Sequence, residues 1–148
     1  LGEITGEEYW DHFRKELGIA DSTAEILRIL AEGYETNEQA ESLRRELAEK
    51  GIKACICSNN FAERINILDN RFNFLNKFSV QVLSYKEHAL KPEKIIFETL
   101  IKKSEAAPAE IFFADDQAKN LVVPKELGIN TFLYEDFAGF KSAIEKLL

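Results

Sequence analysis

Apolar positions recur at helical spacing up to about residue 36, and beyond it helical stretches alternate with short continuous apolar runs. In the first part Tyr9, Trp10, Phe13 and Leu17 follow a capping-box pair, Thr5 with Glu8, and Gly18 is a natural stop. Ser22 with Glu25 repeats the signature before Ile26, Leu27, Ile29 and Leu30, and Gly33 follows. A helical hairpin is expected there. From Thr36 onward, Thr36 and Gln39 cap a helix bearing Ala40, Leu43 and Leu47, and Gly51 ends it before an apolar strand at 52–57. A helix at 61–69, a strand at 80–83, a helix with Pro92 in its first turn and a strand at 111–114 come next. A helix at 117–127 stopped by Gly128, a strand at 130–134 and a helix at 137–148 complete the pattern. Helix and short strand in alternation predict an α/β fold, a Rossmann-like parallel sheet with helices on both faces.

Composition narrows the class. The chain has 148 residues, 45% of them hydrophobic, which predicts one soluble globular domain rather than disorder. Nineteen basic against 26 acidic residues give a net charge of −7, and no basic stripe interleaves with aromatics, so nucleic acid is not an expected partner. No apolar run approaches the ~18 residues of a membrane helix, so no membrane is expected either, and no signal-like segment opens the chain. Those two observations make the cytoplasm the expected compartment. Cys55 and Cys57, two apart on one strand without His or Cys companions, read as reduced core cysteines. There is no methionine, which leaves either a lost natural beginning or ordinary Met removal.

Parallel sheets place ligands at the carboxyl ends of their strands, so the residues following each strand carry the candidate chemistry. After the first strand stand Ser58, Asn59 and Asn60, a hydroxyl and amides that suit an anion and are equally ordinary helix caps. Lys91 lies before the Pro92 helix, where a cation opposes the helix dipole; a phosphate would explain it, and so would a solvated surface. Asp115 and Asp116 follow a strongly apolar strand, with Asn120 one turn on. Adjacent carboxylates there are costly unless a cation compensates, and Mg²⁺, which takes one or two carboxylates and shares the rest of its shell with water and phosphate, fits better than a plain N-cap. His12 reads as a surface or boundary residue of the first helix, and nothing orders His88 toward the cleft.

Together these segments resemble motifs two, three and four of the haloacid dehalogenase (HAD) superfamily. The likeness lies in Cys55-Ile56-Cys57-Ser58-Asn59, in residues 84–93 around Lys91-Pro92, in residues 111–121 around Asp115-Asp116, and in Leu127-Gly128-Ile129, all in the family's order and spacing. The opening residues 2–10 are similar to the helical cap of the branch holding glucose-1-phosphatase-like and epoxide-hydrolase N-terminal-like phosphatases. The resemblance implies part of a cap at 1–34, a HAD-like core at 35–148, and a magnesium-dependent phosphatase working through an aspartyl-phosphate on a small phosphorylated metabolite. It implies that Ser58 and the following backbone at Asn59 bind the phosphoryl group. It further implies that Lys91 neutralises that group and that Asp115 with Asp116 holds Mg²⁺.

One motif departs from the family. The buried strand ending in Asp-x-Asp, which carries nucleophile and general acid/base, is absent: Asp11, Asp21, Asp69 and Asp136 lack both the apolar strand and a second Asp at i+2. A sheet without that central strand exposes two apolar edges, so the expectation is a chain that is most of a longer polypeptide, its absent N-terminal segment a partner to be supplied. The other readings are a strand from another chain, or a remnant that binds phosphoryl ligands without cleaving them. A dehalogenase shares the fold but needs no magnesium, which the acidic pair argues against. A receiver domain places its acidic pair first and its lysine last, the reverse of the order here. Trp10, Tyr9 and Phe13 could meet substrate, but aromatics at helical spacing are more often core.

Overall fold

A computed structural model describes residues 6–148. The chain opens with α1 (Gly6–Leu17), α2 (Thr23–Glu32) and α3 (Glu38–Glu49), followed by β1 (Cys55–Ser58), α4 (Ala62–Phe72) and β2 (Val80–Leu83). A one-turn α5 (Ser84–Glu87), α6 (Lys94–Ser104), β3 (Phe112–Asp115), α7 (Val122–Glu126), β4 (Asn130–Leu133) and α8 (Phe137–Glu145) complete it.

Local chemistry sets most of these boundaries. Ser22 Oγ accepts from the Glu25 N–H at 3.2 Å and starts α2, while the Glu25 carboxylate pairs with Arg28 instead of closing the box. The start of α3 falls one residue later than expected, because Asn37, not Thr36, accepts the Ala40 N–H. The expected Thr5 cap lies outside the described residues. Pro92 stands before the N-cap Glu93 and not inside α6. The helix expected at 117–127 is divided into a 3-10 turn at Ala118–Leu121 and α7. Pro124 has no N–H to give the carbonyl four residues back, so one α-helical ladder cannot run through.

Each strand pair is parallel: β1 with β2, Ser58 opposite Leu83, and β3 with β4, Asp115 opposite Leu133. They form two two-stranded sheets, and neither β1 nor β3 has a second strand neighbour among the described residues. What joins the pairs is α6. Ile96 and Phe97 are fully buried with Val80, Val82 and Leu100, and the Phe97 ring meets Phe113 of β3 edge-on, centroids 5.4 Å apart. Burying such side chains contributes about 1.5–3 kcal/mol each. The reading of Cys55 as a core residue is corrected, since it is exposed, while Cys57 is half-buried and packs against the core cluster.

At the amino end, Trp10 is 4% exposed and lies edge-on between Phe13 and Phe61, centroids 5.5 and 5.4 Å away. It therefore fastens α1 beside the loop that follows β1. Leu27 and Ala31 of α2 are buried where that helix packs on α4, which contributes Ile65 and Leu68. No helix among the described residues is long and apolar enough to cross a membrane.

Candidate active site

Ser58 and Asp115 are the last residues of β1 and β3, so the parallel register brings both to the carboxyl edge. Ser58 is half-buried, and its hydroxyl takes no hydrogen bond among the described residues. Lys91, in the loop between α5 and α6, crosses to Asp115: Nζ lies 2.6 Å from Oδ2, with side-chain exposures of 12% and 3%. The other Asp115 oxygen accepts from the Gln117 main-chain N–H and from Asn120 Nδ2, each at 2.9 Å. Burial pushes the Asp115 carboxyl up, yet the hydrogen bonds from Lys91, Asn120 and Gln117 outweigh it and hold the group below the ordinary carboxylate range.

The two adjacent aspartates therefore differ. Asp115 is buried with both oxygens engaged, whereas Asp116 is exposed and its carboxylate has no partner among the described residues. No group of three or more His, Cys, Asp or Glu among those residues could cage a metal ion. A hard ion that keeps waters and binds through one or two carboxylates needs no such cage, and the free carboxylate of Asp116 beside the anchored Asp115 fits that pattern.

Asn59 lies at the same edge, but its amide is occupied: Nδ2 donates to the Lys91 carbonyl at 2.9 Å and Oδ1 accepts from the Lys91 N–H at 2.7 Å. Ser84, buried at the end of β2, treats Asn60 likewise, its Oγ accepting the Asn60 N–H and donating to the Asn60 carbonyl, both at 2.9 Å. Sequence reasoning gave Ser84 no role; its one signal is a small polar residue directly after an apolar strand. Three further aspartates have duties elsewhere. Asp11 pairs with Arg14, Asp69 Oδ1 accepts the Leu75 N–H, and Asp136 caps α8 at the Gly139 N–H. His12 pairs with Glu16 on the surface, and His88 is exposed. Burial chiefly, with Asp115 and Glu87 adding and Lys91 opposing, pushes the Cys57 thiol up to about 11, so it stays protonated at neutral pH and is no nucleophile.

Comparison with known proteins bears on the family and the fold. The profile of a hydrolase family, haloacid dehalogenase-like hydrolase, matches residues 5–128. The chain is 38% identical over 66 residues to the D-ribitol-5-phosphate phosphatase of Bacteroides thetaiotaomicron, which covers 45% of this chain and 32% of that protein. It is 30% identical over 105 residues to bifunctional epoxide hydrolase 2 of Rattus norvegicus, covering 68% of this chain and 19% of that protein. The chain thus spans about a third or less of these relatives' lengths. Among solved structures, a HAD family enzyme from Bacteroides thetaiotaomicron, crystallised with magnesium and inorganic phosphate, superposes with a TM-score of 0.80 at 27% identity, covering 94% of this chain and 75% of that one.

Proposed function

We propose that this chain, which belongs to the haloacid dehalogenase-like hydrolases, carries the phosphate and magnesium half of a phosphomonoester hydrolase active site. The observation that carries the reading is the buried Lys91–Asp115 pair, 2.6 Å across the strand ends, with the unpartnered Ser58 hydroxyl and Asp116 carboxylate beside it. A lysine held at a sheet edge by a fully hydrogen-bonded carboxylate is a fixed positive charge, and charge fixed in advance stabilises a transferring phosphoryl group without reorganisation.

In this reading Ser58 Oγ donates to a phosphoryl oxygen, with the main chain at Asn59 alongside, and the Lys91 ammonium neutralises the group. Asp116, beside the Asp115 that is kept on Lys91, would hold Mg²⁺. Mg²⁺ in this position would spread the negative charge of the transferring group. The attacking carboxylate belongs to an Asp-x-Asp segment that these residues do not provide: its oxygen forms the bond to phosphorus, the alcohol leaves, and water then hydrolyses the acyl phosphate. The likeness to a ribitol-phosphate phosphatase favours a sugar or polyol phosphate as substrate class. The cap at 1–34 and the core at 35–148 form the two parts of this reading, with Trp10 fastening one to the other through Phe61.

The test is hydrolysis of a polyol phosphate by the intact protein with and without chelator. Activity that needs Mg²⁺ and is lost in Asp116→Asn and in Asp115→Asn, with the fold retained, is the expected result. Full activity in both variants would overturn the assignment, and chelator-insensitive release of halide from a haloacid would favour the dehalogenase. Phosphate binding without turnover by an intact protein lacking the Asp-x-Asp would favour the non-catalytic binder.

A further inference from the structure

A lysine side chain has four rotatable bonds, so placing its charge means fixing both ends. The ammonium of Lys91 is fixed by Asp115. Its main chain lies in a loop where helix and strand hydrogen bonds do not reach: α5 ends at Glu87, His88 has a left-handed φ of 52°, and α6 begins at Lys94. The Asn59 carboxamide takes over there. One side chain, 32 residues away in sequence, receives the Lys91 N–H and donates to the Lys91 carbonyl, at 2.7 and 2.9 Å. A carboxamide presents donor and acceptor side by side as a peptide does, so this contact sets the orientation of Lys91 much as a neighbouring strand would. Ser84 secures the adjacent residue, Asn60, in the same two-point manner, so the loop after β1 is itself anchored to the end of β2.

We propose that Asn59 is a positioning residue for Lys91, acting on bound phosphate through the lysine and not by touching the phosphate with its own side chain. The amide donates through Nδ2 and accepts through Oδ1 to the same residue, so its orientation is set by Lys91 and its effect on a ligand runs through the lysine. The inference rests on the reading of Lys91 as the phosphate-neutralising cation, and it adds the element that tells the lysine where to stand.

A double-mutant cycle in the intact protein with Mg²⁺ separates the possibilities, using the affinity for inorganic phosphate by calorimetry as the probe. Lys91→Ala is expected to weaken binding tenfold or more and Asn59→Ala severalfold, while the double variant binds no worse than Lys91→Ala alone, because a clamp on an alanine positions no charge. Independent losses that multiply in the double variant would overturn the proposal, since Asn59 would then act directly on phosphate or through the general fold. Wild-type affinity in Asn59→Ala, even with a lowered unfolding midpoint, would overturn it too. Wild-type affinity in Lys91→Ala would instead overturn the phosphate-site reading, and the inference with it. Asn59→Ser, whose hydroxyl is too short to bridge both main-chain groups, repeats the cycle should the alanine variant fail to fold.

Discussion

At the scale of single residues, the site depends on how Asp115 is satisfied. Three donors around one buried carboxylate make its ionised form the native form. Because its folded pKa lies below the ordinary Asp value, the native state holds fewer protons than the unfolded chain in the interval between the two. Its contribution is therefore complete above the unfolded value of about 4 and is lost as pH falls through the depressed folded value. Asn120 is 3% exposed and supplies one of the three bonds. A hydrogen bond to a charged group contributes about 1.5–3 kcal/mol, so Asn120→Ala should lower stability by that order at neutral pH. The deficit should shrink as acid protonates Asp115, and urea midpoints from pH 6 to pH 2 would measure it. A deficit constant across that range would mean that Asn120 does not act on the charged carboxylate. None of this was legible from the aspartate pair alone. The spacing marked two carboxylates at a strand end, and only the contacts distinguish the one that holds Lys91 from the one left free.

At the scale of elements, the strand at 80–83 was readable because four residues of mostly β-favouring type stand between turn signals, and it is found at Val80–Leu83. The helix at 117–127 was misread because periodicity outweighed a single proline. Contacts such as Asn59 with Lys91 or Ser84 with Asn60 leave no periodic trace, since they join loops 32 and 24 residues apart through side chains. Ser58, Lys91 and Asp115 were legible for the opposite reason: each is a chemically distinctive residue after an apolar strand or before a helix. The fastening of α1 is likewise a tertiary matter. Trp10 of α1 is buried and meets Phe61, the N-cap of α4. Removing a buried aromatic of this size costs about 3–5 kcal/mol when the surroundings cannot collapse. Trp10→Ala should therefore release α1 while α6 and the strand pairs remain protected. Hydrogen exchange resolved by segment would read this, and equal loss of protection across the chain would show that α1 is part of the central cooperative unit.

At the scale of the whole molecule, the two strand pairs and α6 form a frame that brings Ser58, Lys91 and Asp115 to one edge, and on the proposed reading it needs an attacking group from elsewhere. The first step of a phosphomonoesterase of the proposed kind needs a carboxylate free to attack phosphorus. Asp115 cannot serve while both its oxygens are bonded to Lys91, Gln117 and Asn120. Asp116 is exposed at the end of the same strand, and on the proposed reading its duty is the metal. Asp11, Asp69 and Asp136 are engaged away from the strand ends, and Asp21 is exposed in the turn before α2. Among the described residues β1 and β3 each pair with one strand only, and on the proposed reading a further strand beside them would bring a carboxylate to the same carboxyl edge. These 148 residues alone are therefore expected to show no Mg²⁺-dependent release of phosphate from a generic aryl phosphate. Turnover by the 148 residues alone, surviving repurification and abolished by chelator, would show that one of the carboxylates given a structural duty here is in fact the nucleophile. Substituting Asp116 and Asp115 in turn would then identify which.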